Sequence, residues 1–119
     1  MRLSVFACAP FALCILCPPT LAQDLASADQ VRGAIIGNTV IGTMAASGPY
    51  AEFFDPDGTI RAADYAGRWA IRGGKMCFDY DEGPSGCWAV AITGSTLVWF
   101  GSSGAEGSGT IRAGNPSGW

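Results

Sequence analysis

Histidine is missing from all 119 residues, and lysine occurs once, at Lys75. Without an imidazole there is no His-based catalytic triad, no His-containing zinc site, no ordinary axial haem ligand and no near-neutral proton shuttle. The serines therefore lack their usual activating base, and Lys75, beside Gly73-Gly74, reads as a solvated hairpin residue. Charge is scarce as well, at 14% of the chain, and the seven bases are outnumbered by ten acids. Nucleic acid is disfavoured as a partner, because phosphate binding needs a concentrated basic surface. The same balance gives no attraction to anionic lipid. A length of 119 residues leaves room for one core and one domain.

The first 22 residues read as a secretory signal peptide. Arg2 precedes an uncharged, mostly apolar run over residues 3–17, followed by Pro18-Pro19 and by Thr20 and Ala22 at the −3 and −1 positions. The competing reading is a single-pass anchor, but the run falls short of the ~20 apolar residues a spanning helix needs. A lipoprotein box is not formed, since Leu13 precedes Cys14 and Leu16 precedes Cys17. Cleavage after Ala22 leaves residues 23–119, with six bases against all ten acids. The expected location is periplasmic or secreted, with no transmembrane segment in the mature chain.

Three of the five cysteines leave with the leader, and Cys77 and Cys87 remain. An even pair in an exported chain is most simply a structural disulfide. No further soft ligands lie near them, so a metal site is not expected, and no cofactor is implied.

Ser27 with Gln30 forms a capping-box pattern, and Ala28, Val31 and Ile35 recur at helical spacing, predicting a helix over about 28–36. Gly37-Asn38 supplies the stop. Beyond Thr39 the turn signals recur every 8–12 residues, predicting strands near 39–46, 50–54, 59–63, 67–72, 75–80, 87–93, 96–101 and 107–112. The glycine-rich stretch 101–109 has no phosphate-loop ending and is expected to be a flexible loop.

The turns predict register. A two-residue turn at Gly73-Gly74 places Ile71 opposite Met76 and Trp69 opposite Phe78. Gly94-Ser95 places Ile92 opposite Leu97 and Val90 opposite Trp99, while pairing Cys77 with Cys87 sets Met76 opposite Trp88. These registers put Trp69, Ile71, Met76, Phe78, Trp88, Val90, Ile92, Leu97 and Trp99 on one face. Small or charged residues such as Arg68, Ala70, Lys75, Ala89 and Ala91 fall on the other. The expected fold is mainly β: a small antiparallel meander curled into a lipocalin-like barrel or half-barrel, with one disulfide and the helix covering an open end. A β-sandwich is the alternative.

No residue is assigned a catalytic role. Asp55 and Asp57, and the group Asp79, Asp81 and Glu82, sit in predicted turns and read as solvated, turn-forming acids. Glycoside hydrolysis needs two carboxyls across a cleft, which turn acids do not provide. The aromatic face offers two readings: Trp69, Phe78, Trp88 and Trp99 are either solid barrel filling or the wall of an apolar ligand pocket. Tyr50 and Trp119 are candidate contacts for a protein partner.

Several motifs resemble small secreted alphaproteobacterial proteins that form a domain-of-unknown-function family. They are Gly37-Asn38-Thr39-Val40, Phe54-Asp55-Pro56-Asp57-Gly58, Gly67-Arg68-Trp69, Cys77-Phe78, Cys87-Trp88-Ala89-Val90 and Gly114-Asn115-Pro116. The resemblance covers most of residues 30–116, implies an exported β-rich domain and transfers no site residue. A looser similarity is to small periplasmic inhibitor barrels that block lysozymes or proteases. The expectation is therefore a non-enzymatic envelope or secreted protein that binds a small apolar molecule or envelope component. The alternative is an inhibitor or interaction module acting through hairpin loops such as 79–86 or 101–109.

Overall fold

Helix α1, Ala28–Ile35, starts where the sequence places its cap. The Ser27 hydroxyl accepts the Gln30 N–H at 3.2 Å, and the Gln30 side chain accepts the Ser27 N–H at 2.9 Å, so two orphan donors are satisfied together. Ile36 is already extended, and Gly37 follows with φ 82°. The helix buries only Val31 and Ile35. Two turns of helix are too short to persist alone, so these two side chains hold it to the barrel. The structure is a computed structural model that describes residues 24–119. The expected signal peptide, residues 1–22, lies outside the described residues.

Eight strands follow: β1 Thr39–Met44, β2 Gly48–Phe54, β3 Thr59–Arg61, β4 Ala66–Arg72, β5 Lys75–Tyr80, β6 Gly86–Thr93, β7 Thr96–Gly101 and β8 Gly104–Arg112. Each pairs antiparallel with the next, and β8 pairs back to β1, closing the barrel. Gly73 and Gly74 both have positive φ, as a two-residue hairpin turn matching the sheet twist requires. Every register predicted from the turns is present, including Ile71 with Met76, Val90 with Trp99, and Cys77 with Cys87. The disulfide joins that directly opposed pair, with Cα atoms 4.0 Å apart.

Up-and-down connectivity gives the barrel two unlike ends. The β2–β3, β4–β5 and β6–β7 turns share one end with α1. There Val31 and Ile35 join Val40, Phe54, Ile60, Val90 and Leu97 in a fully dry cluster. The β1–β2, β3–β4, β5–β6 and β7–β8 connections ring the other end. No helix among the described residues is long and apolar enough to cross a membrane.

One expectation needs correction. Residues 101–109 are not a flexible loop: only Ser102 and Ser103 form the turn, and β8 begins at Gly104. The glycines belong to the closing seam. A Cβ on Gly42 in β1 would strike the Ser108 carbonyl of β8, and one on Gly107 would strike the Met44 sulfur and the Thr43 carbonyl. Side-chain-free positions let β1 and β8 approach across a crowded interior, a recognised use of glycine within a strand.

Removing the disulfide tests its share of this stability. Closing a ten-residue loop is worth about 2.5–3 kcal/mol in the chain-entropy account. The Cys77→Ala/Cys87→Ala double variant is expected to lose about that much in urea unfolding with its near-ultraviolet spectrum retained. A loss below about 1 kcal/mol contradicts it.

Candidate functional site

Alternation along β2 points Tyr50, Glu52 and Phe54 into the barrel, because Phe54 is in the core and every second residue shares its face. Phe54 faces the α1 end and is fully buried. Tyr50 lies toward the open end, and Glu52 lies between them with 5% of its surface exposed. A carboxylate so nearly out of water requires partners. Two phenols provide them, with the Tyr65 hydroxyl donating to Glu52 Oε1 at 2.7 Å and the Tyr80 hydroxyl donating to the same oxygen at 2.9 Å. Among the described residues no group donates to Oε2.

A second carboxylate reaches the same space by a different route. In the β7–β8 ladder Trp99 pairs with Gly107, but Phe100 pairs with Ala105, leaving Glu106 as an extra residue. This bulge interrupts the alternation and re-aims the side chain. The Trp88 indole N–H donates to Glu106 Oε2 at 2.6 Å. Gly101 leaves the room this carboxylate needs, since a Cβ there would overlap it. The Trp99 indole N–H donates to the Tyr50 hydroxyl at 2.8 Å, and that hydroxyl donates to the Ser108 carbonyl at 3.0 Å. Gly109 clears the way, its notional Cβ lying 2.5 Å from the Tyr50 oxygen.

These groups wall a cavity of about 620 Å³ at the barrel end opposite α1. Its floor and sides are aromatic. Phe78 packs with ring centroids 5.4 Å from both Trp88 and Trp99. The β1–β2 connection and residues 82–84 form the rim. All three tyrosines and all three glutamates of the chain line this cavity, whereas among the described residues its seven aspartates, five arginines and Lys75 do not.

The electrostatics follow from this placement. Burial pushes the Glu52 carboxyl above the ordinary glutamate value, and the Tyr65 and Tyr80 donors pull it only partly back. Burial also raises Tyr65 and Tyr80, and the neighbouring Glu52 adds to the effect. Tyr50 is pushed up to about 12, chiefly by burial, against the opposing pull of the Trp99 N–H. The phenols therefore remain protonated donors across the neutral range.

Of the expected ligand contacts, Phe78, Trp88 and Trp99 line the cavity. Trp69 is packed against the core elsewhere, with its indole N–H donating to the Asp55 carbonyl at 2.8 Å. Tyr50 also lines the cavity, whereas Trp119 is held at the C-terminus by backbone bonds to the Asn115 side chain. Three of the predicted turn acids have structural partners: Arg61 bridges Asp55 at 3.0 Å and Asp57 at 3.3 Å, and Asp79 accepts from Ser85, whereas Glu82 lies at the cavity rim. Hydrogen bonds from Thr59, with Arg61 adding a smaller pull, hold the exposed Asp57 below the usual aspartate range. Among the described residues no three His, Cys, Asp or Glu side chains cluster as metal ligands.

Glu52, Glu106, Tyr65 and Tyr80 were not singled out from sequence as pocket residues. Alternation could have found two of them, since Glu52 lies between Tyr50 and Phe54, and Tyr80 continues the Met76–Phe78 face. Glu106 carries no such signal, because the bulge that turns it inward is a property of the ladder. No known family model, characterised protein or solved structure matches the chain.

Two outcomes follow from these environments. Trp99, 2% exposed, is expected to cost about 3–5 kcal/mol as Trp99→Ala, and Trp88→Ala at the half-buried cavity wall is expected to cost less in the same urea series. Equal losses contradict that ranking. Because folding favours the protonated form of Glu52, its contribution is fully present below the ordinary glutamate pKa and is lost as pH rises through the elevated folded value. The melting temperature of Glu52→Gln should therefore gain on that of the parent as pH rises above the ordinary glutamate range; a constant difference refutes the elevation.

Proposed function

We propose that the chain is an exported, non-enzymatic barrel that carries or senses a small, largely apolar molecule in the cavity opposite α1. The observation that carries this reading is the asymmetry of the barrel interior. The α1 end is filled by aliphatic side chains and Phe54, whereas the other holds about 620 Å³ of aromatic-walled space. That volume lies within the range typical of small-molecule sites, about 300–1,000 Å³. A few polar groups set among apolar walls is also the usual composition of such sites.

Periplasmic or secreted residence belongs to the proposal. It rests on the leader-like residues 1–22 and is supported by a disulfide of the kind that oxidising compartments preserve. The resemblance to secreted alphaproteobacterial proteins agrees with it. The β5–β6 connection supplies part of the rim through residues 82–84, so an envelope protein delivering or receiving the ligand would meet the barrel at this end.

Native mass spectrometry of protein exported to a bacterial periplasm tests the reading, together with titration by the neutral apolar probe phenylnaphthylamine. The expected result is a co-purifying mass that leaves on denaturation chemically unchanged, saturable probe uptake by the folded protein, and weaker uptake by Trp88→Ala. A bare protein that takes up no probe overturns ligand binding. Recovery of a converted molecule overturns the non-enzymatic part.

A further inference from the structure

The cavity's charge is one-sided to a degree that apolar binding alone does not explain. Glu52, Glu82 and Glu106 line it together with the aromatic rings, and no arginine or lysine among the described residues does. A buried carboxylate is normally answered by a cation or by a full set of donors. Glu52 has neither: both phenols converge on Oε1, and no group among the described residues reaches Oε2. No fully buried side-chain oxygen among the described residues lacks a partner, so Oε2 keeps access to the cavity that Glu52 lines. The site thus presents an open acceptor position on a carboxylate with 5% residual exposure.

We propose that the ligand is an organic ammonium ion with an apolar body, its N–H donating to Glu52 Oε2 and its hydrocarbon portion packing on Phe78, Trp88 and Trp99. This identifies the chemical class of ligand and rests on the apolar-binding reading above. An ammonium group supplies the positive charge that the protein leaves out, so the burial penalty on the Glu52 carboxylate is relieved when the ligand enters. The aromatic faces add to the preference, since the negative face of an indole or phenol ring attracts a cation within about 6 Å of its centre. Glu106, tethered by Trp88, and Glu82 at the rim contribute a long-range attraction of the same sign. Anions of similar size meet three acidic side chains and, among the described residues, no cation. Neutral molecules gain the apolar contacts alone.

The test is isothermal titration of the full mature protein near pH 7.5 with three probes of equal chain length: octylammonium, octanol and octanoate. Octylammonium is expected to bind at least about tenfold tighter than octanol, the scale of one charge-assisted hydrogen bond, with octanoate weakest. In Glu52→Gln the ratio of octylammonium to octanol affinity is expected to shrink to about threefold or less. Should that variant fail to fold, the ranking of the three probes on the parent protein decides alone. Octanol binding as tightly as octylammonium overturns the ammonium assignment and leaves the apolar reading standing. No binding by any of the three overturns both.

Discussion

The pairing of β1 with β8 turns an eight-strand meander into a tube without free edges, and that closure depends on glycine. Gly42, Gly107 and Gly109 lie where the two strands and the Tyr50 and Met44 side chains converge. Any Cβ at these positions meets backbone or a buried side chain, so the seam would open or its ladder would shift. Closure in turn defines a single inside face. Only then does alternation along each strand decide which side chains share a core and which face water.

From that inside face the two barrel ends diverge. At one end α1 adds Val31 and Ile35 to strand residues, and the interior is dry and filled. At the other the inward positions carry Tyr50, Glu52, Tyr80, Trp88 and Trp99, with Glu106 added by the bulge in β8. Such residues have polar tips that need partners, and they find them in one another. The indole of Trp99 satisfies Tyr50, two phenols satisfy Glu52 Oε1, and the indole of Trp88 satisfies Glu106. The rings are thereby held against the wall, leaving space between them.

The polar groups also explain why this end remains unfilled. An aliphatic side chain at position 52 would extend the core of Val40, Phe54 and Ile60 toward the mouth. A carboxylate there instead costs desolvation, which pushes the Glu52 pKa up, and is bearable because phenol donors are in reach. Placing a costly group where a cheaper residue would serve the fold better is characteristic of functional sites.

Much of the architecture could be read from local chemistry. The capping box of Ser27 and Gln30, the paired glycines at 73–74 and the cysteines at 77 and 87 each constrain geometry within a few residues. Their joint registers already separated the Trp88–Trp99 face from the small and charged one. What such reasoning treats least well is sharing between distant strands. Residues 101–109 read as a flexible loop because glycine lowers strand propensity, and only the approach of β1 makes residues 104–109 part of the closing strand. Glu52 and Glu106, 54 positions apart in sequence, became neighbours of one cavity through closure and a one-residue bulge. Local sequence settled most of the strands, the turns and the covalent link, since those depend on near neighbours; the start of β8 and the acid-lined cavity awaited the closed barrel, because burial and charge are properties of everything packed around a residue.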